Sequence, residues 1–226
     1  MREVCYRCRR PKSSCLCGYT KEIDTGVKFV LLMHTKEAKK QRTGTGRITK
    51  LCLADSELLV GIDFTKNERL HDLLNDKHYY PMMLYPGENA LTVQSEHFVR
   101  NIEDKTLLIL VIDGTWACAK SLINKNQFLL ELPRISFCGS YQSIYTFKKE
   151  PKPDYISTIE SCFYLIKELQ TAGVVSPDAD PSPMMNAFKQ LVTFQLTAEN
   201  ERILGLRKGV HAHDDKCTRL KDIPKF

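Results

Sequence analysis

Short apolar runs separated by amphipathic stretches recur along the chain, and this pattern predicts alternating strands and helices. The clearest run is Leu107–Ile112, whose six apolar residues without alternation are typical of a strand covered on both faces of a parallel sheet. Further apolar runs predict strands at 29–34, 58–63, 82–85 and 134–138. We therefore expect an α/β fold with a mostly parallel sheet and flanking helices.

Apolar positions three and four residues apart predict the helices. These cover residues 47–54, 68–76, 117–124, 157–172 and 182–204. Ser157 and Glu160 have the spacing of a capping box at a helix start. Ser182 followed by Pro183 predicts a capping residue and a first helical proline for the last long helix. A polar, glycine-containing segment, 36–46, follows the first strand.

The ends of the predicted strands indicate where a ligand would bind. In parallel sheets the carboxyl ends of the strands meet at one edge, and ligands usually bind there. His34, Asp63, Pro86 and Asp113 follow four of the predicted strands. These positions are the first candidates for a site.

Length and charge narrow the class of protein. The 226 residues suit a small head at 1–22 followed by an α/β catalytic domain at 23–226. No apolar run approaches the ~20 residues of a membrane span, and the start has no apolar signal segment, so we expect a cytoplasmic protein without a membrane partner. The net charge is +6, with basic residues concentrated at 2–12, 36–50 and 148–152. This distribution suits a phosphate-binding surface for RNA.

The first residues contain a compact group of cysteines. Cys5 and Cys8 are followed by Cys15 and Cys17, so four thiols lie within 13 residues. Thiolates at such spacing suit tetrahedral zinc, and a site with four protein ligands is structural rather than catalytic. An iron–sulfur cluster and a redox cysteine pair are the alternatives. We expect the zinc head to support the fold and to offer a basic surface to RNA.

A short acidic turn closes the strongest strand. Asp113-Gly114-Thr115-Trp116 places a carboxylate at the sheet edge, a glycine that permits a sharp turn, and the chain's single tryptophan. Asp-Gly is also a common loop pair, so the turn alone does not identify a site.

The acidic turn is one of several motifs whose order along the chain indicates a function. The motifs are the four-cysteine head, His34, Thr43-Gly-Thr-Gly-Arg47, Tyr85-Pro-Gly87, Asp113-Gly-Thr-Trp116, Leu132-Pro133, Ser143-Ile-Tyr145 with Lys148-Lys-Glu-Pro151, and Ser157-Thr-Ile-Glu160. This order, over residues 5–205, resembles the DTW-domain family of tRNA-uridine aminocarboxypropyltransferases. The resemblance implies transfer of the 3-amino-3-carboxypropyl group of S-adenosylmethionine (SAM) to N3 of a tRNA uridine, which leaves methylthioadenosine. It also implies a SPOUT-like fold with a C-terminal knot that cradles SAM.

The chemistry and the resemblance together predict which residues form the site. Asp113 is the candidate base that takes the N3 proton, with Trp116 shielding it, and its alternative role is to hold the ammonium of SAM. The expected SAM site comprises Thr45, Gly46, Arg47, Pro86, Gly87, Asp113, Gly114, Thr115, Ser157, Thr158 and Glu160. The expected RNA contacts are His34, Arg47, Lys148 and Lys149. The chain departs from the family pattern at Gly44, where members often have asparagine, and at Lys148, where they usually have arginine.

Two other functions use the same residues. One is a SPOUT-type RNA methyltransferase, which would release S-adenosylhomocysteine instead. The other is a zinc-headed module that binds RNA without catalysis and keeps its RNA affinity when Asp113 is replaced. We expect tRNA to be the partner and a monomer rather than a homodimer.

Overall fold

Five parallel strands form a single sheet in the computed structural model, which describes residues 3–40, 43–102, 104–145, 155–206 and 219–226. The strands are β1 (Lys28–His34), β2 (Ser56–Gly61), β3 (Tyr79–Leu84), β4 (Thr106–Asp113) and β5 (Arg134–Ile135). Their order is β2-β1-β4-β3-β5, so β4 pairs with β1 on one side and with β3 on the other. The predicted parallel α/β sheet is confirmed, with the strongest apolar run at its centre.

Seven α-helices accompany the sheet in the described residues. They are α1 (Thr35–Lys40), α2 (Gly46–Cys52), α3 (Glu68–Asn75), α4 (Phe98–Ile102), α5 (Trp116–Lys125), α6 (Thr158–Thr171) and α7 (Ser182–Ile203). The five predicted helices are confirmed. The two others, α1 and α4, are one or two turns long, too short for an apolar periodicity to stand out from the surrounding sequence.

Both faces of the sheet are covered by helices, as a parallel sheet requires. On β4, Ile109 and Val111 belong to the larger core, to which α2, α6 and α7 contribute. Leu108 and Leu110 belong to the smaller core, to which α3 and α5 contribute. The strand carries apolar side chains to both layers because its residues alternate between the faces. This explains why its sequence is an uninterrupted apolar run.

Three predicted boundaries are wrong. The strand predicted at 134–138 ends at Ile135, because the backbone N–H of Cys138 turns away to the carboxylate of Glu168. Ser182 is the first helical residue of α7 rather than its cap, and its N–H donates to the Asp180 carboxylate instead. The strand predicted at 58–63 ends at Gly61, so Asp63 lies in a turn.

The position of Asp63 separates it from the other strand-end residues. Its carboxylate accepts hydrogen bonds from the backbone N–H and the hydroxyl of Thr65, at 2.9 and 2.6 Å. These two hydrogen bonds lower the pKa of Asp63. The residue therefore stabilises its own turn.

The cysteine-containing head is anchored in the main core. Leu16 is completely buried within the larger core, and Tyr19 makes an edge-to-face contact with Phe194 of α7 at 6.5 Å between ring centroids. Ile23 pairs with Leu53, just past the end of α2. The head is thus held against the same helices that cover one face of the sheet. Within the described residues, none of the helices combines the length and the apolar character that a bilayer crossing requires.

Replacing Leu16 with alanine tests this anchoring. Loss of a fully buried leucine should lower the free energy of unfolding by about 2–5 kcal/mol, as measured by urea denaturation. Tyr6→Ala is the matched control in the same head, because Tyr6 is 82% exposed. Equal stability of the two variants would contradict a core shared by the head and the sheet.

Candidate active site

The carboxylate of Asp113 lies at the carboxyl edge of the sheet, buried between two helix starts. Asp113 ends the central strand β4 and is 3% exposed. The hydroxyl of Thr158, the first residue of α6, donates a hydrogen bond of 2.7 Å to its Oδ1. A Cβ at Gly46, the first residue of α2, would also overlap the carboxylate. Only glycine lets the backbone approach so closely.

Two contacts therefore hold the Asp113 carboxylate in place. One is the hydrogen bond from the Thr158 hydroxyl, and the other is the close packing of the Gly46 backbone at the start of α2.

A cavity of about 730 Å³ opens beside Asp113, within the size range of small-molecule sites. Its apolar and aromatic lining includes Leu84, Val111, Ile135, Phe137 and Tyr145. The predicted site residues that line it are Thr45, Pro86, Asp113, Gly114, Thr115, Trp116, Ser157 and Thr158. Among the described residues of this lining, the acidic side chains are Glu37 and Asp113, and there is no lysine, arginine or histidine. The cavity therefore suits a ligand that is partly apolar and carries positive charge.

Glu37 is a second buried carboxylate that the sequence pattern did not single out. It lies in α1, is 7% exposed, and accepts a hydrogen bond of 3.2 Å from the backbone N–H of Thr115. Thr115 in turn caps α5 by accepting from the N–H of Cys118. The only sequence signal for Glu37 was its position as an acid within the basic segment 36–40. It fixes the Asp113 turn to the helix that follows β1.

A second, smaller cavity of about 410 Å³ also borders Asp113. Its lining includes four basic residues, Arg9, Arg10, Lys39 and Arg47. Glu37, Gly44 and Asp113 line both cavities. The two cavities therefore meet at the Asp113 carboxylate, and they differ in the charge of their remaining walls.

Trp116 packs against another aromatic ring in the larger cavity. Its indole stacks on Tyr155 with 3.7 Å between ring centroids and an angle of 26° between the planes. Both residues line the cavity, and Trp116 is half-buried. The pair forms an aromatic wall at the start of α5.

Glu160 is absent from the described lining of both cavities, and its carboxylate forms hydrogen bonds that hold a neighbouring loop. Its carboxylate accepts from the N–H and hydroxyl of Ser157, which completes the predicted capping box. It also accepts from the hydroxyl of Ser143 and the N–H of Ile144, each at 2.8 Å. Next in this loop, the Tyr145 hydroxyl donates to the carbonyl of Thr43. Glu160 thus links the start of α6 to the segments around both cavities.

Two other predicted positions, His34 and Gly87, are absent from the described lining of both cavities. His34 is buried beside Gly114, and its Nδ1 accepts from the N–H of Lys36 at 3.1 Å. Burial and, to a lesser extent, the charge of Lys36 lower the pKa of His34. Gly87 lies against the guanidinium of Arg134. Lys148 and Lys149 lie outside the described residues.

The four head cysteines converge as the sequence predicted. Their sulfur atoms all lie within 4.8 Å of one another, an arrangement that can hold a metal ion. Cys5 and Cys17 have their sulfurs 3.7 Å apart, as have Cys8 and Cys15. Backbone N–H groups of Cys8 and Arg7 lower the pKa of the Cys5 thiol to about 6.

Comparisons with known proteins show which family the chain matches. The DTW domain model matches residues 2–196. The chain is 24% identical to the tRNA-uridine aminocarboxypropyltransferase 2 of Macaca fascicularis and 25% identical to that of Mus musculus, in each case over 86% of this chain and 64% of the relative. It is 22% identical to the tRNA-uridine aminocarboxypropyltransferase A of Arabidopsis thaliana, over 86% of this chain and 81% of the relative.

The chain thus spans a little under two thirds of the length of the mammalian relatives. No solved structure shows a significant match. The family model, in contrast, covers the cysteine head, the sheet and most of the last long helix, including every described residue at the two cavities. The chain therefore belongs to the DTW domain family.

Proposed function

We propose that this chain is a tRNA-uridine aminocarboxypropyltransferase that uses SAM. It would transfer the 3-amino-3-carboxypropyl group to N3 of a uridine and release 5′-methylthioadenosine. Family membership and the names of the relatives support this activity. The observation that carries it is the position of Asp113, a buried carboxylate shared by two cavities of different charge.

The larger cavity is the proposed SAM site. SAM carries a sulfonium, an ammonium and a carboxylate, so its net charge is positive. The Glu37 and Asp113 carboxylates complement this charge, and Val111, Ile135 and Phe137 offer an apolar surface to the adenosine. The hydroxyls of Thr45, Ser157 and Thr158 are the polar groups available to orient it. Gly46 contributes by bringing the start of α2 against Asp113.

The proposed reaction is a displacement at carbon. The bond from uridine N3 to the γ-carbon of the methionyl chain forms as the bond from that carbon to sulfur breaks. The bonding pair goes to sulfur, which becomes a neutral thioether, and the N3 proton leaves to a base. The methyl carbon is equally attached to sulfur and less hindered, so the protein must select the γ-carbon by positioning.

Asp113 can serve this reaction in two ways. As a counter-ion it would hold the positive charge of SAM, and as a base it would accept the N3 proton. The hydrogen bond from Thr158 and the close approach of Gly46 hold the carboxylate in place, which either role requires. Its position in the lining of the cavity that suits a cation favours the counter-ion role. Trp116 would complete the wall around the reacting groups rather than exchange protons.

Zinc is the proposed metal of the cysteine head. Around a tetrahedral zinc with Zn–S bonds of about 2.3 Å, neighbouring sulfurs lie roughly 3.8 Å apart. The two 3.7 Å sulfur pairs fit this spacing. With four protein ligands the site is structural.

Five further properties stay predictions. We propose tRNA as the partner of a monomeric, cytoplasmic protein. We also propose a boundary near residue 22 between the head and the catalytic domain, and the knotted SPOUT-like topology.

The small-molecule product tests the activity. The purified protein, incubated with SAM and unmodified tRNA transcripts, should yield 5′-methylthioadenosine and RNA heavier by one aminocarboxypropyl group, read by mass spectrometry. Release of S-adenosylhomocysteine would instead identify a methyltransferase. Absence of both products across a full set of transcripts would contradict an enzymatic function.

Asp113→Asn separates the two roles of the carboxylate, because asparagine keeps the shape and removes the charge. A counter-ion role predicts a SAM dissociation constant raised about tenfold or more in equilibrium dialysis. A base role predicts normal SAM binding with kcat lowered by about 10²-fold or more. Asp72→Asn, at an exposed position of α3, is the control. If SAM affinity and kcat both stay within twofold of the parent protein, Asp113 has neither role.

Gly46→Ala tests the close approach of α2 to Asp113. The added methyl would overlap the carboxylate, so kcat should fall on the order of a hundredfold, as expected for a shift of about 1 Å in a catalytic group. Gly18→Ala adds the same methyl where nothing lies within 4 Å and should stay within twofold of the parent. Equal activity of the two variants would show that the Gly46 contact is dispensable.

Cys8→Ser tests the zinc site. The parent protein should contain about one zinc per chain by inductively coupled plasma mass spectrometry. The variant should lose that zinc and unfold at a lower temperature, because metal binding contributes to folding. Cys138→Ser removes an exposed cysteine outside the group and should retain the metal. Full zinc content in Cys8→Ser, or iron in place of zinc, would overturn the assignment.

A further inference from the structure

The smaller cavity has no role in the proposed SAM site, yet it reaches the same carboxylate. Two of its basic residues, Arg9 and Arg10, come from the cysteine head. Lys39 comes from α1 and Arg47 from α2. Four cations from three parts of the chain thus line a cavity of about 410 Å³, whose lining also includes the acids Glu37 and Asp113.

The geometry of these cations is partly fixed. Arg10 is 6% exposed, and its Nε donates a hydrogen bond of 2.9 Å to the carbonyl of Ser14. Arg47 is half-buried, and its Nη2 lies 3.5 Å from the carbonyl of Ala38. Arg9 and Lys39 are exposed. The cavity therefore combines two anchored guanidinium groups with two cations that can reach an incoming ligand, an arrangement that suits phosphate.

The direction of the proposed reaction indicates which ligand arrives here. In a displacement at carbon, the nucleophile approaches on the side opposite the leaving group. With SAM in the larger cavity, the uridine needs a separate path to the reacting carbon. The smaller cavity, which the four cations line, borders the same carboxylate and offers such a path.

Two anions could use these cations: an RNA phosphate or the carboxylate of SAM. The carboxylate belongs to a molecule with net positive charge, which the acidic larger cavity already suits. An RNA backbone presents one negative charge per nucleotide and reaches the protein from outside, where Arg9 and Lys39 are exposed. The charges therefore favour RNA.

We propose that the smaller cavity binds the sugar–phosphate backbone of the tRNA next to the target uridine, and that Arg9 and Arg10 make the cysteine head part of this site. The position beside the reacting carbon rests on the proposed function. The binding of RNA by the cavity does not, so the two can be tested separately.

The double variant Arg9→Gln/Lys39→Gln removes the two exposed cations and leaves the anchored arginines. Its dissociation constant for a fluorescein-labelled, unmodified tRNA transcript is measured by anisotropy over a series of salt concentrations. Affinity should fall by about tenfold or more, and the slope of log affinity against log salt should become shallower by about two, one for each lost phosphate contact. SAM affinity, measured by equilibrium dialysis, should stay within twofold.

The double variant Lys66→Gln/Lys125→Gln is the matched control. Both lysines are exposed, and the charge of each lowers the pKa of Asp63. Neither belongs to the described lining of the two cavities. This control loses the same net charge as Arg9→Gln/Lys39→Gln. Its dissociation constant for the transcript should stay within about threefold of the parent value. Zinc content and melting temperature confirm that both proteins are folded.

Equal RNA affinity and salt slope in the two double variants would overturn the proposal. A loss of SAM affinity with RNA binding retained would also overturn it, because the cations would then hold the SAM carboxylate. If the parent releases no methylthioadenosine but RNA binding still depends on Arg9 and Lys39, the proposed activity fails and the RNA site stands.

Discussion

The close contact of the Asp113 carboxylate with the first turns of α2 and α6 is the constraint on which the site depends. It requires a central strand that ends at Asp113, a glycine at position 46 and a hydroxyl at position 158. Both helices pack into the larger core, so the core that stabilises the sheet also places the carboxylate. A shift of either helix would move Asp113 relative to both cavities.

The two cavities that meet at this contact differ in the charged residues of their linings. Glu37 adds a second carboxylate to the boundary between the cavities, and the smaller cavity adds four cations on its own walls. The cysteine head supplies two of those cations and is anchored through Leu16. The four-cysteine head and the sheet-edge site, separate in sequence, thus contribute to the walls of one cavity. Under the proposed function, a cationic co-substrate and an anionic RNA would meet at one carboxylate.

The features that the sequence predicted are those with local signals. The buried strand β4, the capping box of α6 and the cysteine group can each be recognised from a few neighbouring residues. Glu37 could not be found in this way, because its partner Thr115 is 78 residues away and α1 has no apolar periodicity. His34 was a reasonable candidate from its position at a strand end, but burial and the Lys36 contact are invisible in the sequence. Likewise, the convergence of Arg9 with Lys39 depends on how the head packs.

A crystal structure of the protein with 5′-methylthioadenosine and a short uridine-containing RNA would test this arrangement most directly. We predict methylthioadenosine in the larger cavity, the uridine base beside Asp113, and an adjoining phosphate within hydrogen-bond distance of Arg9 or Lys39. Methylthioadenosine bound among the four cations, or a uridine remote from Asp113, would contradict it.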